Sequence, residues 1–111
     1  PAKDIVLNHG DGMRRISQRE LLFVEVLDHY LIYHTEGGDF REIGRLKAVE
    51  EELAGHGFFR CSNSYLINLR FVQAIDENEV TVGTACVPIS RRRKKELLEA
   101  INAFFKNGGA Q

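Results

Sequence analysis

Between the apolar pairs Phe58-Phe59 and Leu66-Ile67 the chain carries Arg60, Ser62, Asn63 and Ser64, a polar knot that no packing requirement explains. Arginine offers a planar fork of N–H donors, asparagine a donor and an acceptor on one short stem, and serine a hydroxyl small enough to let a backbone approach closely. In a turn between two short strands these groups point outward and suit phosphate oxygens and base edges. A second concentration of donors follows at Arg91, Arg92, Arg93, Lys94 and Lys95. Either feature alone has a plain structural reading, since asparagine is a common turn former and a charge run that opens a helix is commonly a solvated face.

The elements that must position these groups read as short strands. Residues 4–16 alternate around Asn8-His9-Gly10-Asp11-Gly12, a hairpin signal in which the Asp-Gly pair favours positive φ. Ser17 with Glu20 three residues on marks a single capped turn. Strands are then expected at Leu21–Leu27, Tyr30–Thr35 and Asp39–Ile43, interrupted by Asp28-His29 and by Gly37-Gly38. Leu46, Val49 and Leu53 switch to helical spacing, which predicts a short amphipathic helix over Arg45–Ala54 that stops at Gly55 and Gly57. Brief strands follow at Phe58–Cys61, Tyr65–Ile67, Phe71–Asp76, Glu79–Val82 and Ala85–Ile89. A final helix is expected from a Ser90 cap, with Leu97, Leu98, Ile101, Phe104 and Phe105 as its apolar stripe, and residues 107–111 as a disordered tail. The fold class is therefore mostly β with two short helices.

With 111 residues and 43% hydrophobic content, one domain with one modest core is expected over residues 1–111. Opening on Pro1, the chain is expected to be a piece excised from a longer polypeptide, although processing of a native start would look the same. No apolar run reaches the roughly 18 residues of a membrane span and no secretory signal opens the chain, so a cytoplasmic location without membrane contact is expected. The net charge of −1 excludes a generally basic nucleic-acid binder, so any affinity for an anion rests on how the charge is distributed. Residues 91–111 hold six cations against Glu96 and Glu99, a local surplus of four. Placed at a helix start, that surplus opposes the helix dipole, which is consistent with cations kept for an anionic partner.

The segment F-F-R-C-S-N-S-Y-L-I-N-L at residues 58–69, followed by Arg70-Phe71-Val72-Gln73-Ala74-Ile75, resembles the signature of the LytTR family, the DNA-binding domains that end many bacterial response regulators. The resemblance runs from about Ile5 to Ile101 and is densest at 58–75. It implies an elongated stack of small antiparallel β-sheets that presents loops, rather than a recognition helix, to successive major grooves. It places the main contacts at His29, Asn63 and Arg91. Arg60, Ser62, Ser64, Arg92, Arg93 and Lys94 are supporting candidates. It further implies tandem repeat sites occupied by two copies, a homodimer on DNA, and an upstream receiver domain.

By residue chemistry, Arg91 is the first choice for base readout, because a guanidinium can bond guanine O6 and N7 together. Phosphate contacts could also draw on Arg70 and Lys95. Some of these cations are expected to pair with Glu50 to Glu52 instead; four to six phosphate contacts would give a log K against log salt slope of about −4 to −5.

Two other classes compete. An enzyme would need Cys61 or Cys86 with His29, His34 or His56, but no phosphate loop, paired carboxylate motif or nucleophile elbow accompanies them, so no catalytic role is expected. Neither a metal site nor another cofactor is implied by the cysteine spacing. Cys61 and Cys86 could form a redox pair if their strands were neighbours, since a disulfide needs α-carbons within about 7 Å. A protein-interaction module that pairs through exposed strand edges is the alternative to DNA binding.

Overall fold

A computed structural model of the chain describes residues 3–108. It contains ten strands in three antiparallel sheets, two helices and two short 3₁₀ turns. Strands β1 (Asp4–His9) and β2 (Gly12–Ser17) form the first hairpin. Positive φ falls on Gly10, the first of the two turn residues, rather than on Gly12. Ser17 Oγ accepts from Arg19 N in the single turn that leads on to β3.

The central sheet has the order β5-β4-β3-β7-β6, formed by β3 (Leu21–Leu27), β4 (Tyr30–Thr35), β5 (Gly38–Ile43), β6 (Phe58–Arg60) and β7 (Tyr65–Asn68). Its middle strands are apolar on both faces because both faces are covered. Cross-strand partners Val24 and Leu66 join one core with Ile5, Leu7 and Ile16 of the first hairpin and Leu46, Val49 and Leu53 of helix α1 (Leu46–Glu52). One residue on, partners Phe23 and Ile67 face the opposite way and join a second core. A bulge between Leu21 and Phe23 lets Leu21 share the first core with Val24 despite their odd spacing.

The second core is closed by the three-stranded sheet of β8 (Val72–Ile75), β9 (Glu79–Val82) and β10 (Ala85–Pro88), which contributes Val80, Val82 and Val87, and by Leu97 of helix α2 (Lys94–Lys106). The result is a stack of small sheets measuring 42 × 31 × 24 Å. The apolar stripe of α2 is narrower than its sequence suggests: Leu97, Ala100, Ile101 and Phe104 pack inward, whereas Leu98 and Phe105 remain 43% and 48% exposed. Gly57 lies where α2 passes closest, at φ +84, and a Cβ there would come within 2.7 Å of the Phe104 ring. Asn107 and Gly108 form the turn that ends α2; the rest of the expected tail, residues 109–111, lies outside the described residues.

Two expectations are corrected. Ser90 makes no side-chain cap bond, because Arg91–Arg93 first form a 3₁₀ turn and Arg93 occupies the N-cap position of α2. Cys61 and Cys86 are free: Cys61 is buried, and Cys86 alternates with buried Val87 and so faces outward. Burial pushes the Cys61 thiol up to about 11, so at pH 8 only roughly one molecule in a thousand carries the thiolate that attacks disulfide reagents. A chromogenic disulfide reagent at pH 8 is therefore expected to titrate Cys86 promptly and Cys61 only after unfolding. Two thiols of equal reactivity in the native protein would contradict this burial.

Candidate nucleic-acid interface

The polar knot is a turn held from behind. Phe59 pairs with Ile67, and Cys61 N donates to Tyr65 O at 3.1 Å, which fixes the ends of the turn. Inside it, Ser64 N donates to Ser62 Oγ at 3.2 Å. Arg60 folds back beneath it: Nε donates to Ser62 O at 3.3 Å, Nη2 to Asn63 O at 3.0 Å, and Nη1 to Glu50 Oε1 at 3.2 Å. With two of its carbonyls bonded inward, the turn leaves residue Asn63 exposed at its tip.

The basic segment is docked against this turn. Ser90 N donates to Cys61 O at 3.1 Å. Arg93 donates from Nε and Nη2 to Arg60 O at 3.2 and 3.0 Å, pairs with Glu96 through Nη1 at 3.0 Å, and lies over the Phe59 ring. Arg60 and Arg93, both candidates for contact with an anion, thus spend their donors within the protein. Arg91, Arg92 and Lys95 are exposed and Lys94 half-buried, and none has an ion-pair partner among the described residues. Ser62, Asn63 and Ser64 line one groove with Ser90, Arg92, Arg93, Arg60 and Glu50.

The third candidate sits on another tip at the same end of the central sheet. Asp28 and His29 form the two-residue turn between β3 and β4, and Asp28 has φ 57, which a short polar side chain tolerates. The register pairs Glu25 with Tyr65, and Val26 N donates to Ser64 O at 3.0 Å, so this hairpin tip and the Ser62–Ser64 turn project from neighbouring strand ends. His29 is exposed. By contrast His34 is committed elsewhere: its ring nitrogens lie 2.6 Å from Glu25 and 3.0 Å from Asp39, and it stacks on Phe23.

A larger concavity lies between the first hairpin and β5, lined in part by Met13, Arg14, Tyr30, Phe40, Arg41 and Ile43. Its arginines are engaged, Arg14 over the Phe40 ring and Arg41 over the Tyr30 ring, and Glu42 accepts from Asn8 N. Charge therefore favours the smaller groove, whose lining includes Arg92 with no ion-pair partner among the described residues, over the larger one. No metal-binding group of three or more His, Cys, Asp or Glu side chains occurs among the described residues, nor any helix long and apolar enough to cross a membrane.

His29, Asn63 and Arg91, the main contacts expected from the sequence, are all exposed where strands turn or helix α2 begins. The expected pairing of cations with the Glu50–Glu52 run is present as Arg60 with Glu50. The bond from Arg93 to the Arg60 carbonyl was not among the expectations, since a run of five cations offers no signal for it.

Comparison with known proteins gives one consistent result. A family model described as the LytTr DNA-binding domain matches residues 11–102. Among solved structures, a LytTr DNA-binding domain from Bacillus cereus, whose parent is described as a methyl-accepting/DNA response regulator, superposes with a TM-score of 0.77 at 18% identity. The match covers 88% of this chain and 95% of that one. No curated protein sequence matches.

Proposed function

The chain belongs to the LytTR family of DNA-binding domains, and from that premise we propose that it reads double-stranded DNA sequence-specifically with the tips at His29 and Asn63 and the segment at Arg91. Arg91 takes a guanine edge, Asn63 an adenine edge or a phosphate, and His29 a phosphate or base. Arg92, Lys94 and Lys95 hold phosphates, while Ser62 and Ser64 allow close approach. The tips enter successive major grooves along one face of the duplex. The observation that carries this reading is the groove shared by the Ser62–Ser64 turn and the basic segment, whose lining includes Arg92, a cation with no ion-pair partner among the described residues.

Transcription is regulated, in this reading, by a domain acting at the output end of a two-component response regulator in the cytoplasm, with an upstream receiver controlling pairing. Two copies sit side by side on tandem repeats. The acidic balance of residues 1–90 limits what one copy can hold, and linking two modules raises avidity through effective concentration.

Selection of bound fragments from a random duplex pool tests sequence preference. On the selected site, with Arg60 and Arg93 withdrawn from the phosphate count, three or four contacts remain, so log K is expected to fall against log salt with a slope of about −3 to −4. A slope near zero would contradict a phosphate-held complex.

A second reading draws on β5, an edge strand of the central sheet, where Ile43 is 73% exposed near Met13 at 59%. Such an edge can pair with another chain. Self-association that is indifferent to salt and to DNA would favour it.

A further inference from the structure

We propose that Arg60 and Glu50 are positioning residues for DNA readout: a carboxylate on helix α1 holds a guanidinium that in turn sets the Ser62–Ser64 turn, and neither group contacts DNA. This inference rests on the DNA-binding reading above. Arg60 directs all three of its nitrogens into the protein, one to Glu50 Oε1 and two to the consecutive carbonyls of Ser62 and Asn63. A planar fork bonded in this way fixes direction as well as distance, because its N–H vectors are rigid relative to one another. Its own carbonyl receives both Nε and Nη2 of Arg93. Residue 60 therefore joins three elements: α1 through its pair with Glu50, the readout turn through two carbonyls, and the start of α2 through Arg93. A shift at Arg60 would move Asn63 and the 91–93 segment relative to each other, and those are the groups that must meet the duplex together.

Glu50 gives the inference its sharpest consequence. Its carboxylate borders the same groove as Ser62, Asn63 and Arg92. If it acted through charge alone it would repel phosphates, and removing it would tighten binding to any DNA. As an anchor for Arg60 it has the opposite effect on the selected sequence. Likewise, an Arg60 that held a phosphate would contribute about 0.9 to the salt slope, whereas an Arg60 that orients a turn contributes nothing to it.

The test compares the unaltered chain with Glu50→Ala, Glu50→Gln and Arg60→Lys on a selected duplex and on a scrambled duplex of equal length, over a range of salt, with the unfolding midpoint of each protein recorded. Glu50→Ala is expected to lower affinity for the selected duplex about 3- to 10-fold while leaving the scrambled duplex unchanged or slightly tighter. Glu50→Gln keeps an acceptor for Nη1 and is expected to restore most of the preference. Arg60→Lys keeps the charge but loses the fork, and is expected to reduce the preference about 5- to 30-fold with an unchanged salt slope. Should Arg60→Lys fold poorly, Glu50→Ala, at a half-buried helix position, decides alone. Tighter binding of Glu50→Ala to both duplexes would overturn the brace while leaving DNA recognition standing. An unaltered chain that does not distinguish the two duplexes would remove the DNA reading itself, and the brace with it.

Discussion

Replacing Arg91 by alanine is expected to weaken binding to a selected duplex by roughly 5- to 150-fold, the equivalent of about 1–3 kcal/mol for a bidentate guanidinium–guanine pair. The loss should concentrate at one base-pair position, where the variant no longer prefers guanine, and should be much smaller on random DNA. The folded protein loses nothing in exchange, because Arg91 is exposed and has no ion-pair partner among the described residues. Its thermal midpoint should therefore stay within a degree or two of the parent. Equal losses on selected and random duplexes would reduce Arg91 to a phosphate contact.

The largest effect on stability is expected at Asn68, a fully buried polar residue at the end of β7. Its Nδ2 donates to the carbonyls of Gln18 and Leu21, both at 2.8 Å, across about fifty residues of sequence. Its Oδ1 accepts from Arg70 N at 3.2 Å and from Arg70 Nη1 at 3.0 Å, which caps the 3₁₀ turn at Leu69–Phe71. Asn68→Ala leaves two buried carbonyls without their side-chain donor and removes one of the two acceptors of Arg70 Nη1, the other being His56 O, at a cost of about 2–5 kcal/mol. That is a large share of the 5–15 kcal/mol by which small domains are stable. At about 4 °C or more per kcal/mol, the midpoint should fall by roughly 10–20 °C. A fall of only a degree or two would mean that water repairs the gap.

Local chemistry explains which parts of this architecture could be read from residues alone. Strands β3, β4 and β9 lie within their expected limits because turn residues bound them: Asp28-His29, Gly37-Gly38, Asp76-Glu77-Asn78 and Gly83-Thr84 each interrupt an apolar run. Helix α1 starts and stops within two residues of its apolar spacing. The place of β7 between β3 and β6 was not legible, since a four-residue strand gives no hint of which distant residues cover its two faces; only the fold assigns Leu66 to one core and Ile67 to the other. The cap at Ser90 failed because a local preference lost to a tighter turn at Arg91–Arg93. The roles of the five consecutive cations were equally hidden. Arg91 and Arg93 are the same residue type two positions apart, yet one faces solvent and the other bonds the Arg60 carbonyl, a distinction set by a partner thirty-three residues away.

Loop tips in the major groove make a demand that a minor-groove or purely phosphate-held complex does not. Guanines of a selected site can be replaced one at a time by 7-deazaguanine, which removes the N7 acceptor from the major groove and leaves pairing intact. Binding should weaken at positions grouped in two patches about one helical turn apart, and in one patch the replacement should cost nothing further once Arg91 is alanine. Indifference to every replacement, with affinity still steep in salt, would contradict readout of the major groove by these tips.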